Sequence, residues 1–359
     1  AFLSLNDAGQ AAFLGDLTGT AGGGADDTGL FRGAGGAITQ IARAGQAAPD
    51  GNGTFSNFFN FNPALNDSGQ AAFLGVLTGT SGGGTDNSGL FRSSGGALTQ
   101  ITREGQAAPD GNGTFSGFGV PSGGFGPPAL NDAGQVAFSG FLTGTAGGGA
   151  DNSGIFRGAG GTLTRIAREG QAAPDGNGIL ASFENPALNN AGQAAFLGNL
   201  TGTSGGFSDD RGIFRGAGGA LTQIAREGQA APDGNGTLSS FNADIVLNDA
   251  GQAAFFGDLI GTAGGVTDNT GLFRGSGGAL TRIAREGQAA PDGNGTFGAF
   301  VGAAPALNDA GQAAFLAILT GNSGGSLDDR GVYTSDGIDL LKVIRKGDAL
   351  AGGTVSGIS

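Results

Sequence analysis

The chain has 359 residues and, with 17 basic and 30 acidic side chains, a net charge of −13; it contains no His, Cys, Met or Trp. The lack of imidazole and thiol groups excludes Ser-His-Asp and Cys-His catalysis, Cys/His zinc sites, haem ligation by His or Met, and disulfides. The acidic balance argues against nucleic acid as a partner, and the lack of an apolar run of about 18 residues argues against membrane insertion. Although 79 residues are Gly, the 26 Phe residues still allow a hydrophobic core.

A phrase close to Leu-Asn-Asp-Ala-Gly-Gln recurs six times, and a fixed period of this kind is the sequence signature of a repeat protein. The successive spacings are 60, 65, 58, 59 and 60 residues, and the longest one contains an insertion near 120–128. We therefore expect one domain, 1–359, built from six modules. The Asn of the phrase stands at Asn6, Asn66, Asn131, Asn189, Asn248 and Asn308.

Each module is predicted to form four strands, and the second module illustrates them. Its first strand is Gln70–Leu77, its second Gly89–Arg92 and its third Ala97–Arg103, and the fourth begins at Thr114. The segments between them are rich in Gly and Asn, which accept the positive φ that tight turns require. The same residues interrupt every stretch before it reaches the ~12 residues that a stable helix needs.

Four antiparallel strands per repeat are typical of a β-propeller blade, whose two faces are buried by the neighbouring blades. We therefore predict an all-β, six-bladed β-propeller with four antiparallel strands per blade. A β-solenoid is the alternative. Its coils usually hold about 20–30 residues, however, and the modules of this chain show no half-period.

The two ends of the sequence resemble the two parts of one fourth strand. Thr354–Ser359 matches Thr54–Phe59, and Ala1–Asp7 matches Phe61–Asp67. Counting across the ends from the sixth Asn to the first gives 57 positions, close to the other spacings. We predict that the N- and C-terminal segments pair in one blade and close the ring. Donation of Ala1–Leu5 to the next chain, which would produce fibres, is the alternative.

The phrases "LNDAGQ.AF" and "GLFR..GG.LT.IAREGQ.APDGNGTF", repeated at this period over nearly the whole chain, resemble a class of exported bacterial repeat proteins. Many proteins of that class carry sorting signals of the PEP-CTERM type. The resemblance implies a β-propeller and an extracellular or cell-surface location. It implies no catalytic residue, because the class has no characterised function, and the sequence shows no sorting tail that would indicate how it is anchored.

Acidic residues recur just before the second strand of every module. Loops that gather carboxylate oxygens are what Ca²⁺ requires, and Ca²⁺ is the one cofactor that the sequence suggests. The alternative is a turn-forming role without metal. The sequence favours that alternative because the alternating Asp-x-Asp-x-Asp pattern of a compact calcium loop is missing. The candidate metal ligands are Asp26, Asp27, Asp86, Asp151, Asp209, Asp210, Asp268, Asp328 and Asp329.

Arg recurs in two series, which we predict to form ion pairs with nearby carboxylates between blades. A further Asp precedes Gly-Asn-Gly in the turn after the third strand, on the same side of the disk as the Asp-rich loop. The first Arg series is Arg32, Arg92, Arg157, Arg215 and Arg274; the second is Arg43, Arg103, Arg168, Arg226, Arg285 and Arg345. The turn residues are Asp50, Asp110, Asp175, Asp233 and Asp292.

Near-identical modules offer near-identical surface sites, which favours multivalent contacts over a single active site. We therefore predict a non-enzymatic, extracellular structural or adhesive protein, with copies of itself, as a homo-oligomer or filament, or a surface polysaccharide as partner. A calcium-dependent or carbohydrate-binding recognition propeller is the first alternative. A lyase or glycosidase that uses a carboxylate pair is the second, although no module carries acidic residues that the others lack.

Overall fold

The structure is a computed structural model that describes residues 3–58, 62–119 and 127–358, apart from the side chain of Ala303. This part of the chain is all-β, and its helices are one-turn 3₁₀ helices, none of which is long or apolar enough to cross a membrane. The 3₁₀ helices are Gly23–Ala25, Gly83–Thr85, Gly148–Ala150, Gly206–Ser208, Gly265–Thr267 and Gly325–Leu327. Most of the insertion near 120–128, and the residues Ala1, Phe2, Phe59, Phe61 and Ser359 of the matched terminal segments, lie outside the described residues.

The strands follow one another in groups, one group for each repeat. The first group is β1 (Leu3–Leu5), β2 (Ala11–Asp16), β3 (Thr28–Gly33) and β4 (Thr39–Arg43). The second is β5 (Thr54–Phe58), β6 (Ala64–Leu65), β7 (Ala71–Thr78), β8 (Ser88–Ser93) and β9 (Leu98–Arg103). The third is β10 (Thr114–Phe118), β11 (Ala129–Leu130), β12 (Val136–Thr143), β13 (Ser153–Gly158) and β14 (Thr164–Arg168).

The remaining groups repeat this pattern. The fourth is β15 (Ile179–Phe183), β16 (Ala187–Leu188), β17 (Ala194–Thr201), β18 (Arg211–Gly216) and β19 (Thr222–Arg226). The fifth is β20 (Thr237–Phe241), β21 (Val246–Leu247), β22 (Ala253–Ile260), β23 (Thr270–Gly275) and β24 (Thr281–Arg285). The sixth is β25 (Thr296–Leu307), β26 (Ala313–Thr320), β27 (Arg330–Ser335) and β28 (Leu340–Arg345), followed by the hairpin of β29 (Ala349–Leu350) and β30 (Gly353–Thr354).

The chain divides into two compact units, and the fourth group of strands is shared between them. Unit 1 comprises Ala1–Gln171, Leu180–Ala194 and Gly216–Leu221, and unit 2 comprises Ala172–Ile179, Ala195–Arg215 and Thr222–Ser359. Unit 1 contains antiparallel sheets of order β1-β2-β3-β4, β5-β7-β8-β9 and β10-β12-β13-β14. Unit 2 contains sheets of order β20-β22-β23-β24 and β25-β26-β27-β28. The prediction of repeated sheets of four antiparallel strands is therefore confirmed.

The sheets are offset by one strand from the sequence modules. The fourth strand of one module, such as β5, pairs with the first strand of the next module, here β7, in the register Thr54↔Thr78 and Phe55↔Leu77. A short second piece, β6, pairs farther along β7. Each Asn-Asp turn therefore lies inside a sheet, between its first two strands.

The core of each unit lies between neighbouring sheets. In unit 1, Leu30 and Ile41 of the first sheet are buried in one cluster with Phe55 and Phe91 of the second. The rings of Phe55 and Phe91 meet edge to face with centroids 4.9 Å apart, a favourable aromatic geometry. In unit 2, Ile283 of the fifth sheet is buried in one cluster that includes residues of the sixth. Both faces of a strand such as β7 are buried, as its continuous apolar sequence indicates.

The recurring Asn joins consecutive repeats within each unit. The Oδ1 of Asn66 accepts a hydrogen bond from the Gln70 N–H at 2.8 Å, which holds its own turn. Its Nδ2 donates to the Asn131 carbonyl at 2.8 Å, in the next repeat. Asn248 makes the same contact with the Asn308 carbonyl at 2.9 Å in unit 2. A buried amide that satisfies backbone groups in two repeats explains why this Asn recurs in every module.

Candidate functional site

The Arg that ends the third strand of a repeat joins two acidic loops. The Nη1 of Arg103 donates to the carboxylate of Asp50, in the preceding turn, at 2.9 and 3.2 Å. Its Nε donates to the Asp86 carbonyl at 2.6 Å. The side chain of Asn52 completes the link, because its Nδ2 donates to the Asp86 carboxylate at 2.8 Å and its Oδ1 accepts from the Ser81 N–H at 2.7 Å.

The same ion pairs recur, so the prediction for the second Arg series is confirmed for Arg103 and its later equivalents. The carboxylate partners are the Asp residues of the turn and the loop, whereas Glu104, which follows Arg103, accepts from the Ser88 N–H at 3.1 Å. Arg43 has no such turn before it and pairs with Asp26 alone, at 3.4 Å. The other pairs are Arg168–Asp110 at 3.0 Å, Arg226–Asp175 at 3.0 Å, Arg285–Asp233 at 2.9 Å and Arg345–Asp292 at 3.2 Å.

The first Arg series has different partners from those predicted. Arg92 donates through Nη1 to the carbonyl of Gly134, in the Asn-Asp turn of the next repeat, and Arg274 donates in the same way to Gly311. The prediction of carboxylate partners is therefore wrong for these residues. The reason is that the Asn-Asp turn of the next repeat brings a backbone carbonyl within reach of the guanidinium.

The predicted metal ligands lie at the ends of the 3₁₀ helices, in separate repeats. The carboxylate of Asp86 accepts from the Gly82 N–H at 3.1 Å, and that of Asp26 from the Gly22 N–H at 3.1 Å. Asp209 and Asp268 accept from the corresponding glycines, at 3.1 Å. Asp151 and Asp328 occupy the same position, bonded through Oδ2 to Asn112 and Asn294 at 2.7 Å.

The second acidic residue of a loop is placed differently in each repeat that has one. Asp27 accepts from the Thr28 hydroxyl at 3.3 Å, Asp329 lies 3.5 Å from the Lys346 ammonium, and Asp210 interacts with Glu227, whose pKa it raises. Across the described ranges, no group of three or more acidic side chains is arranged to hold a metal. Calcium binding by these nine residues stays a prediction.

One position differs between repeats in a way that changes the site. The residue three positions before the strand-ending Arg is Arg or Lys in the third, fifth and sixth repeats. It is Gln in the first, second and fourth repeats. The cation closes on the Asp of the preceding turn: Arg165–Asp110 at 2.9 Å, Arg282–Asp233 at 2.6 Å and Lys342–Asp292 at 3.5 Å. In the second repeat, Gln100 leaves the side chain of Asp50 37% exposed, against 18% for Asp110.

A polar pocket opens at Gln100 in unit 1, which we call the Gln100 pocket. Its volume is about 680 Å³, and its lining includes Asp50, Asn52, Asp86, Arg103 and Glu104. Three buried polar atoms of lining residues have no hydrogen-bond partner: Gln100 Oε1, Asp86 Oδ1 and Arg103 Nη2. The equivalents of the last two, Asp151 Oδ1 in the third repeat and Arg345 Nη2 in the sixth, are unpaired as well, so only Gln100 Oε1 is particular to this pocket. An unpaired buried acceptor is costly, which favours a polar ligand beside it.

The carboxyl groups of Asp86 and Glu104, which both line this pocket, differ in proton affinity. Hydrogen bonding with Thr80, reinforced by Asn52, the Gly82 N–H and the charge of Arg103, lowers the pKa of Asp86 below its ordinary value. Burial raises the pKa of Glu104, against the opposing effect of its hydrogen bonds with Ser88. The pocket therefore combines one carboxyl group that stays ionised with one that holds its proton more readily.

Sequence reasoning did not find this pocket. The acidic residues are almost the same in each module, so they do not distinguish the repeat that has the pocket. The informative difference lies in the third strand, where Gln100 aligns with Arg165, Arg282 and Lys342. A comparison of the charged positions of all modules, basic as well as acidic, would have separated the second repeat from the third.

The chain is similar to several solved propeller structures at 10–12% identity. It matches the Pyrococcus horikoshii acylaminoacyl peptidase at 10% identity and a TM-score of 0.43, over 97% of this chain and 45% of that one. It matches a Trypanosoma rangeli sialidase mutant at 12% identity and a TM-score of 0.37, over 95% of this chain and 53% of that one. A third match is the β-propeller domain of the Trilobed protease from Pyrococcus furiosus, at 10% identity and a TM-score of 0.31, over 97% and 99% of the two chains. The chain thus spans about half the length of the first two proteins.

These comparisons correct one prediction. We predicted a non-enzymatic structural or adhesive protein, and that prediction is wrong. The similar structures are sialidases, an acylaminoacyl peptidase and an α-L-arabinofuranosidase from Fusarium graminearum, so the propeller architecture gives no reason to expect a non-enzymatic role.

A search of the curated proteins finds no match. A family model does match, over residues 1–148 and again over 122–355, and these two matches together span almost the entire chain. The chain therefore belongs to the family of unknown function DUF7453.

Proposed function

We propose that the chain binds a hydroxyl-rich ligand of the saccharide class in the Gln100 pocket. The observation that carries this proposal is a polar cavity of about 680 Å³ that is lined by the accessible carboxylate of Asp50 and by residues with unpaired atoms of both kinds, the acceptor Gln100 Oε1 and the donor Arg103 Nη2. A sugar hydroxyl both donates and accepts, so neighbouring hydroxyls of one ligand can satisfy both kinds of atom. The cavity also lies in the size range of small-ligand sites.

The partner that we propose is a surface polysaccharide, and the location is extracellular or at the cell surface. The acidic, cysteine-free composition and the similarity of the repeat phrases to those of exported proteins support this location. The Asn52 amide beside the pocket supports the partner, because amide and carboxylate groups that flank a cavity are suited to orienting sugar hydroxyls.

Calorimetric titration with neutral, amino and acidic oligosaccharides tests the proposal. In the variant Gln100→Arg, the new guanidinium is expected to pair with Asp50, as Arg165 pairs with Asp110 at 2.9 Å, and to fill the pocket. Binding at this site should weaken at least tenfold. Gln40→Arg is the matched control, because in the described residues the strand-ending Arg43 of that repeat pairs with Asp26 and not with the Asp of an Asp-Gly-Asn-Gly turn. If no oligosaccharide binds, or if Gln100→Arg binds as tightly as the original chain, the proposal is wrong.

Hydrolysis of the bound saccharide is a second candidate function, favoured by the opposite pKa shifts of Asp86 and Glu104 in one pocket. In such a reaction, Glu104 would donate its proton to the glycosidic oxygen as the C–O bond breaks, and Asp86 would take a proton from the attacking water. The same samples, assayed for new reducing ends, test this candidate. Glu104→Gln should abolish turnover and leave binding, and turnover that survives this change would contradict it.

We also propose that the six repeats close into a six-bladed ring through the two terminal segments. Support comes from the first sheet, where β1 pairs with β2 only from Leu3↔Phe13 to Leu5↔Ala11. In the second sheet, β5 additionally pairs with β7 from Gly75 to Thr78. The described residues of unit 1 contain no strand at the corresponding edge of β2. The segment that begins at Thr354 has the sequence of a β5 equivalent.

A further inference from the structure

We propose that the Gln100 pocket binds the ammonium group of an amino sugar on Asp50, and that Asp175, beside Gln223, is a second site of the same kind. This inference rests on the proposed function and names its ligand class: an oligosaccharide with free amino groups. The argument comes from the repeats in which the chain supplies its own cation.

We call the third, fifth and sixth repeats closed, because a second cation lies on the Asp of the preceding turn. They show what this Asp binds when that cation is present. Asp110 holds two cations, Arg168 at 3.0 Å and Arg165 at 2.9 Å. In the sixth repeat an ammonium is shared by two carboxylates, because the Lys342 Nζ lies 3.5 Å from Asp292 and 3.0 Å from Asp348, whose position is Gln106 in the second repeat. Asp50 has the same turn and the same strand-ending Arg103, but Gln100 carries no charge. The place filled by Arg165 or Lys342 in their own repeats is thus open to a cation from outside.

We call the second and fourth repeats open, because they carry Gln in place of the second cation. In these repeats the carboxylates of the turn and the loop exceed the guanidinium groups by one charge. In the second repeat, the carboxylates of Asp50 and Asp86 face one guanidinium, that of Arg103. In the third repeat, by contrast, two guanidinium groups face two carboxylates. A site with one uncompensated negative charge attracts a monovalent cation. The lowered pKa of Asp86 keeps this imbalance at neutral pH.

The fourth repeat, in unit 2, shares the accessible carboxylate of this arrangement, although Arg226 Nη2 donates to the Asn177 carbonyl at 2.7 Å and is not unpaired. Asp175 pairs with Arg226 at 3.0 Å, and its side chain is 36% exposed, close to the 37% of Asp50. In the closed fifth and sixth repeats, the turn Asp is 23% and 24% exposed. Gln223 is neutral, as Gln100 is, and accepts a long hydrogen bond of 3.5 Å from Arg226. Two of the five Asp-Gly-Asn-Gly turns therefore keep an accessible carboxylate.

An amino sugar fits these sites better than a cation alone. Its ammonium would lie on the Asp50 carboxylate, as the guanidinium of Arg165 lies on Asp110, and its ring hydroxyls would face the polar side chains that line the cavity, Asn52, Gln100 and Glu104. Ammonium on a carboxylate gives charge-assisted hydrogen bonds, which are about twice as strong as neutral ones. An N-acetylated sugar lacks the charge, so the two forms of one sugar should be discriminated.

The test is calorimetry with the β-1,4-linked hexamer of glucosamine and, in parallel, the hexamer of N-acetylglucosamine, at pH 6. We expect two sites for the glucosamine hexamer and at least tenfold weaker binding of the N-acetylated one. Gln100→Arg and Gln223→Arg should each remove one site, and the double variant should remove both. Both changes copy residues found in other repeats, so folding is expected to persist. Gln40→Arg should leave both sites.

The reverse change provides a gain-of-function measurement. Arg165→Gln frees Asp110 in the third repeat and should add a third site for the glucosamine hexamer. If both hexamers bind equally at a site that Gln100→Arg removes, the ammonium inference is wrong but the proposed saccharide function stands. If neither the hexamers nor any other oligosaccharide binds, both are wrong. Binding of glucosamine hexamer that survives in the double variant also overturns the inference.

Discussion

The glycine that precedes Leu-Phe-Arg or Ile-Phe-Arg, in the third strand of a sheet, packs where no side chain fits. A Cβ on Gly154 would lie 2.7 Å from the Ala167 carbonyl oxygen and 3.0 Å from the Phe156 ring. The carbonyl belongs to the neighbouring strand and cannot move without disturbing the sheet. Gly154 is therefore required for close packing, as Gly often is where backbone approaches backbone.

We predict that Gly154→Ala destabilises the protein by about 1–3 kcal/mol, the usual cost of overpacking. Gly149→Ala is the control, because a Cβ there would have no atom within 4 Å. Thermal and urea unfolding of the two variants measure the difference. Equal stabilities would show that the strand at Gly154 adjusts freely, contrary to the packing described here.

Glu227 is the most strongly perturbed carboxyl group of unit 2. Burial, followed by its hydrogen bond with Asp210, raises the pKa of Glu227 to about 7, against the opposing charge of Arg211. The residue is only 4% exposed. Asn stands at the position of Asp210 in the second, third and fifth repeats, so only the fourth repeat combines Asp here with Glu.

A raised pKa makes stability depend on pH in a definite direction. The folded state binds the proton of Glu227 more tightly than the unfolded state, so its stabilisation is complete below the unfolded pKa of about 4.5 and is lost as pH rises to about 7. We expect the Tm of the original chain to fall between pH 5 and pH 8 by a few degrees more than that of Asp210→Asn. Calorimetry at several pH values measures this, and identical pH profiles would contradict it.

The structural role of a residue was predictable from the sequence where that residue acts within its own repeat. The buried Phe residues and the turn-forming Asp and Gly residues follow from the pattern, since each serves its own strand or turn. The partner of Arg92 was not predictable, because its carbonyl acceptor lies in the next repeat. The opening at Gln100 was missed for the same reason, since it depends on a turn of the preceding repeat.

At the scale of elements, the positions of the strands were predictable from the sequence. The assignment of strands to sheets was not. The first strand of the second module was predicted at Gln70–Leu77 and is observed at Ala71–Thr78. Its pairing with a strand of the preceding module depends on tertiary packing of apolar faces, which periodicity within one module does not encode. The register shift between Leu90 and Phe91, where β8 pairs with β9, likewise has no signal in the repeat phrase.

The interruption between β15 and β16, at residues 184–186, also reflects local sequence. In the sixth repeat the equivalent strand, β25, runs continuously from Thr296 to Leu307, with Gly302 at a φ of +98° and a register shift between Val301 and Ala306. The sixth repeat therefore keeps strand geometry through residues that elsewhere form a loop. A bulge at a glycine allows this, because the extra residues leave the ladder without breaking it.

For the whole molecule, the decisive question is whether Thr354 and the residues after it pair with the first sheet. The pairing of β5 with β7, in which Thr54 lies opposite Thr78, places Thr354 opposite Thr18 by alignment. The equivalent pair in the sixth sheet, Thr296 and Thr320, has its side-chain oxygens 3.2 Å apart. Opposed residues in antiparallel strands have Cα atoms at distances that a disulfide can bridge.

We predict that the double variant Thr18→Cys/Thr354→Cys forms an intramolecular disulfide under mild oxidation, because ring closure would place the two side chains together. The natural chain has no cysteine, so no other thiol competes. Thr296→Cys/Thr320→Cys is the matched positive control, since that pairing is present in one sheet. Non-reducing electrophoresis and thiol titration of the purified monomer measure the outcome. If the control variant forms its disulfide while the Thr18→Cys/Thr354→Cys variant stays a folded monomer with free thiols, closure in this register is excluded. A disulfide found only between chains would show that the strand is donated to a neighbour.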